Sequence, residues 1–116
     1  MNTSIPVFDK ELALQRAGGN QELAEELLGM LLRELPATRQ RIDAAFTSGD
    51  TTMLLEAIHK LNGAATYCGV PALKAAAHQC ETTLKQGEHR LYISLHGELL
   101  NEIDRVLNGV GNNHFN

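Results

Sequence analysis

The stretch Ala57-Ile58-His59-Lys60-Leu61-Asn62-Gly63-Ala64-Ala65-Thr66-Tyr67-Cys68-Gly69 repeats its apolar residues with a helical period. At roughly 100° per residue, Ala57, Leu61, Ala64 and Cys68 fall on one stripe, flanked by Ile58 and Ala65. His59 lies about 160–180° from the centre of that stripe. On its own face stand Glu56, Asn62, Gly63 and Thr66. The pattern predicts a helix buried along one side that presents a titratable ring to solvent. Gly63, one turn on, costs a helix interior about 1 kcal/mol relative to alanine. In return it keeps the surface beside the ring low and open to another macromolecule.

The same period extends in both directions. β-Branched residues are sparse and period-2 alternation is missing, so no strand is expected. The first helix is predicted from about Asp9, a plausible N-cap, to Ala17, with Gly18-Gly19 as its stop. Asn20 caps a second helix from Gln21 to about Leu35, with Leu23, Leu27, Met30, Leu31 and Leu35 as its apolar positions. Pro36 lacks a backbone donor, so a kink or restart is expected there before the pattern resumes through Ile42, Ala45 and Phe46 to Ser48-Gly49. Asp50 caps the third helix, Thr51 to about Tyr67, which Gly69 terminates. Pro71 opens the fourth at its first position. Leu73, Ala76, Ala77, Cys80 and Leu84 form its apolar face, and Gly87 closes it. The fifth spans about Leu91 to Leu107 on Leu91, Leu95, Leu99, Ile103, Val106 and Leu107. Short connections make sequential helices antiparallel neighbours. The expected fold is all-α: an up-and-down antiparallel four-helix bundle with a short extra N-terminal helix over one end. Ala64-Ala65 and Ala75-Ala76-Ala77 let the third and fourth helices approach closely.

With 116 residues the chain suits one domain (1–116), its core at about 8–107 and a flexible Gly/Asn-rich tail at 108–116. Hydrophobic residues make up 43%, enough for a core. A net charge of −4 with no cluster of Lys and Arg argues against nucleic acid as a partner. Cys68 and Cys80 are too few for a disulfide framework and fall at apolar positions, as buried reduced thiols do. No signal peptide is visible, and no apolar run approaches the ~18–20 residues needed to cross a bilayer. A soluble cytoplasmic domain is expected, without direct membrane contact and monomeric when isolated. Gly18-Gly19 is a helix stop and Gly109-Val110-Gly111 lacks a following lysine and helix, so no nucleotide-binding loop is present and no intrinsic kinase activity is expected.

A lone surface histidine is ordinarily just solvated. Here the sequence around it carries a resemblance. The segment from His59 to Gly69 resembles the signature of histidine-containing phosphotransfer (HPt) domains, in which the active histidine is followed by an apolar residue at +2 and glycines at +4 and +10. Leu61, Gly63 and Gly69 match. The continuation Gly69-Val70-Pro71-Ala72-Leu73, then a helix ending in Glu81-Thr82-Thr83-Leu84, is similar to the HPt domains at the C-termini of hybrid sensor histidine kinases of the BarA/GacS type. The similarity covers roughly Phe8 to Leu107. It implies that His59 is phosphorylated and relays a phosphoryl group between the aspartates of response-regulator receiver domains. It also implies an excised C-terminal domain of a sensor kinase in a two-component phosphorelay. Glu81, where the family has Gln or Glu, would accept the Nδ1 proton of His59 and leave Nε2 as nucleophile. The family often has Lys or Arg at +3, where this chain has Asn62. Cationic help would then have to come from elsewhere, with Lys60 as a candidate; for Lys60 and Lys74 simple solvation is the alternative. No cofactor is expected on this chain, and Mg²⁺ would belong to the receiver. Docking would use the small and apolar surface around His59, with Leu55, Ala13 or Leu14 as contacts.

The chemistry is consistent with the residues themselves. An unperturbed imidazole, of pKa about 6.5, is mostly neutral at cytosolic pH and offers one nitrogen lone pair. His78, one turn before Glu81, reads as a bystander. A metal site built from His59, His78, Cys80 and Glu81 is disfavoured, because Cys80 lies on the apolar stripe about 100° from Glu81. Two other readings stay open: a non-catalytic helical adaptor or dimerisation bundle, and the phosphoacceptor domain of a chemotaxis-type kinase.

Overall fold

The N-cap side chains are in place. In a computed structural model that describes residues 5–110, Asp9 accepts from the amide of Leu12, Asn20 from that of Leu23 and Asp50 from that of Met53. Each satisfies an amide that the helix start leaves without an intrahelical partner. The helices are α1 (Lys10–Arg16), α2 (Gln21–Ser48), α3 (Thr51–Ala65), α4 (Pro71–Lys85) and α5 (His89–Gly109). No strand occurs among the described residues.

Helices α2 to α5 form a closed ring of neighbours, α2 beside α3, α3 beside α4, α4 beside α5 and α5 beside α2. Side-chain pairs show the antiparallel sense. Arg39 on α2 meets Asp104 on α5, whereas Asp43, further along α2, meets His96, further back on α5. On α3 and α4, His59 meets Glu81 while Asn62 also reaches back to Lys74. Helix α1 lies across the link between α3 and α4. The Asp9 amide donates to the Gly69 carbonyl at 2.8 Å. Gly69 has φ +70°, and a Cβ there would stand 2.6 Å from that of Ala13. The position therefore needs glycine both for its backbone conformation and for the approach of α1.

Helix α2 runs through Pro36 without a restart. The missing hydrogen bond and the ring clash cost about 3 kcal/mol. The buried row Ala24, Leu28, Leu31, Leu35, Ile42 and Ala45 continues on both sides of the proline and anchors each half to the same core. Leu23 and Met30, assigned to that face from the sequence, are exposed, because the buried row is set one position further along. The buried row of α3 is likewise Leu54, Ala57, Ile58, Leu61 and Ala65, and Ala64 faces outward. Helix α3 ends at Ala65 rather than Tyr67, and the chain turns through 66–69.

The inner face of α5 is Tyr92, Leu95, His96, Leu99, Ile103 and Val106, not one that begins at Leu91, which is exposed. The α5 helix reaches Gly109 and Val110 is buried, so residues 108–110 are not part of a tail. Residues 111–116 lie outside the described residues. His96 is buried between helices. Its Nε2 pairs with Asp43 Oδ1 at 2.9 Å, its Nδ1 with the Tyr92 hydroxyl at 2.7 Å, and its ring stacks on Phe46 at 3.9 Å between centroids. Cys68 and Cys80 are buried free thiols, and burial pushes them up to about 11 and about 12.

Candidate functional site

On α3 the apolar residues at 54, 58, 61 and 65 point into the bundle, which turns residues 59, 60 and 63 outward. The side chain of His59 is 69% exposed. That of Gly63 would, if enlarged by a Cβ, meet nothing within 4 Å. The glycine is thus not demanded by packing inside this chain, and what it leaves free is the space outside it.

Helix α4 supplies the partner. Its inner face carries Leu73, Ala77, Cys80 and Leu84, and its seam with α3 buries Glu81 to 5% residual exposure. The Glu81 carboxylate is fully engaged. His59 Nδ1 donates to Oε2 at 2.5 Å, Lys85 Nζ lies 3.0 Å from the same oxygen, and Asn62 Nδ2 donates to Oε1 at 2.8 Å. Lys74 Nζ donates in turn to Asn62 Oδ1 at 3.2 Å. Burial works to raise the Glu81 carboxyl, but the hydrogen bonds from Asn62, Lys85 and His59 together prevail and hold it down to about 2. A carboxylate that stays ionised can only accept, so the proton on His59 resides on Nδ1. Nε2 has no partner among the described residues.

The structure therefore brings together His59, Asn62, Glu81 and Lys74, with Gly63 open beside them. Lys60 neighbours His59 in sequence but is exposed and bonds to nothing among the described residues. His78 is exposed and lines a hollow with Arg16, Thr66, Pro71 and Lys74; it bonds to no member of the Glu81 network among the described residues. Ala13 is fully buried against Gly69, so it is no docking contact; Leu14 and Leu55 are half-buried against the core. Cys80 points at the Leu95 carbonyl, on the side of α4 away from His59. Among the described residues no group of three or more His, Cys, Asp or Glu side chains is placed to hold a metal ion. Nor is any helix there long and apolar enough to cross a membrane. Sequence reasoning missed Lys85. Its signal was the i, i+4 spacing after Glu81, a pairing that helices commonly support.

An all-helical ring of four with a solvent-facing imidazole backed by a buried carboxylate is the architecture of a phosphotransfer module. The family profile described as the Hpt domain matches residues 26–109, and the chain belongs to that family. It is 40% identical over 106 residues to the sensor histidine kinase GacS of Pseudomonas protegens, a match that covers 91% of this chain and 12% of that protein. It is 38% identical over 101 residues to the signal transduction histidine-protein kinase BarA of Escherichia coli K12, covering 85% of this chain and 11% of that protein. The chain thus spans only a small part of the length of these relatives. Among solved structures, the HPT domain from the Hpt sensor hybrid histidine kinase from Shewanella superposes with a TM-score of 0.67 at 30% identity. That match covers 90% of this chain and 97% of the other.

Proposed function

We propose that this chain is a phosphohistidine carrier, in which His59 takes a phosphoryl group from the phosphoaspartate of one receiver domain and delivers it to the aspartate of another. The observation that carries the reading is the pairing of an exposed ring with an ionised buried carboxylate on its Nδ1 side. In the forward step the Nε2 lone pair attacks phosphorus. The N–P bond forms, the O–P bond of the acyl phosphate breaks, and the carboxylate leaves with the electron pair. No proton need move at Nε2. The ring keeps its Nδ1 proton and becomes cationic, and the Glu81 carboxylate, already charged, balances that cation at hydrogen-bond distance. Delivery is the reverse with a second aspartate. Exposure serves this chemistry, since the acidic residues and Mg²⁺ that assist transfer would be the receiver's and must close over the ring. Gly63 leaves them room. A cytoplasmic setting as the terminal domain of a sensor kinase fits the same reading, because receiver domains and their acyl phosphates occur there.

The test is transfer without ATP. Incubation with a phosphorylated receiver should place an acid-labile, base-stable label on this chain, and His59→Gln should abolish the label with helicity retained. Label that persists on the variant would refute the assignment.

A further inference from the structure

Lys74 and Glu81 stand on one face of α4, seven residues and so about 10 Å apart along the axis. Asn62, from the facing helix, spans the gap between them. An ammonium group only donates hydrogen bonds and an ionised carboxylate only accepts them. One orientation of the Asn62 amide satisfies both, with Oδ1 to Lys74 and Nδ2 to Glu81. The flipped amide would set NH₂ against the ammonium and oxygen against the carboxylate. With Oε1 fastened by Asn62, the second carboxylate oxygen is left to His59 Nδ1 and Lys85.

We infer that Lys74 is a positioning residue for the transfer: it orients the Asn62 amide, which orients the Glu81 carboxylate, which keeps His59 in the tautomer with Nε2 free. The inference rests on the reading of His59 as the phosphoryl carrier. It separates the two lysines near the site. Lys60 is one residue from His59 and bonds to nothing among the described residues; Lys74 is fifteen positions away and is tied to the ring through two side chains. Removing the Lys74 ammonium leaves the Asn62 carbonyl without its donor, and the amide is then free to turn. Glu81 keeps Lys85, which is half-exposed and shares the oxygen that His59 uses. Lys85 therefore cannot replace the hold on Oε1.

Two measurements test this, and one of them needs no phosphate. In ¹⁵N-labelled protein, at a pH high enough that the ring resonances of His59 no longer move with added base, those resonances report the tautomer. The wild type should show the Nδ1–H form. Lys74→Met should move the resonances toward the Nε2–H form, and Lys74→Arg should restore them. Lys60→Met, which removes the same charge without breaking a bond, should leave the ring resonances in place. In the second measurement, transfer from a phosphorylated receiver should slow about tenfold in Lys74→Met, the lower end of the scale found when the outer hydrogen-bond partner of a metal-ligating histidine is removed. Added to Asn62→Ala, the Lys74→Met change should slow transfer no further, because the intermediary is already gone. An unshifted tautomer in Lys74→Met overturns the inference, as does equal slowing by Lys60→Met or additive slowing in the double variant. A wild-type chain that takes no label on His59 would defeat the carrier reading instead, and the ring resonances would still decide the linkage.

Discussion

Two glycines six residues apart, Gly63 and Gly69, differ in what a side chain would meet: Gly63 has open space where its Cβ would be, and it lies in regular helix beside His59. Gly63→Ala should therefore stabilise the fold by about 0.5–1 kcal/mol and raise the melting temperature by a few degrees, as thermal unfolding followed by circular dichroism will show. Gly63→Leu should also fold, yet slow phosphoryl transfer by about tenfold or more, since a misplaced receiver loses its in-line approach. Normal transfer by the leucine variant would mean that the space is not used. His59, Asn62 and Gly63 were legible as one face from helical phase alone. Glu81 was legible only through the family resemblance, because its burial depends on how α4 meets α3, a distance in space that periodicity does not encode. The cationic character of Lys74 could be read directly, but its partner could not.

Elements were read well where capping chemistry is local and poorly where packing decides. Asp9, Asn20, Asp50 and Pro71 each mark a helix start within a residue or two. Pro36 misled, because a local rule about one missing donor cannot weigh the core residues that hold α2 on either side of it. In α5 hydropathy points to Leu91 as part of the inner face, but it is exposed, and Tyr92 and His96, four residues apart, occupy that face. Hydropathy favours leucine, whereas counting from Tyr92 places His96 at i+4, Leu99 at i+7 and Ile103 at i+11 on one stripe. Gly69, in the link between α3 and α4, yields the element-scale prediction. Gly69→Ala adds a Cβ 2.6 Å from that of Ala13 and 2.7 Å from the Asp9 carbonyl oxygen, at a φ that favours glycine. It should destabilise by about 2–3 kcal/mol, opposite in sign to the same change at Gly63. Amide hydrogen exchange should show the loss first in α1, and a melting temperature equal to wild type would refute the account.

For the molecule as a whole, the charge on Glu81 links the site to stability. Its folded pKa of about 2 lies below the usual 4.5, so between those values the unfolded chain binds more protons than the folded one. The stabilisation is present above about pH 4.5 and is lost as pH falls toward 2; it amounts to about 3 kcal/mol at most. Urea unfolding across that range should lose stability more steeply in the wild type than in Glu81→Gln, and parallel curves would show that the carboxyl is not held as described. The buried imidazole of His96 has a different consequence. Slippage of α5 by one turn, about 5.4 Å, would part His96 Nε2 from Asp43, though Tyr92 on the same helix would keep Nδ1, and would draw Asp104 away from Arg39. Oily surfaces alone tolerate such sliding, whereas these polar pairs admit a single longitudinal alignment. The alignment of α5 against α2 is thereby fixed, and with it two walls of the frame within which α3 and α4 hold His59 and Glu81.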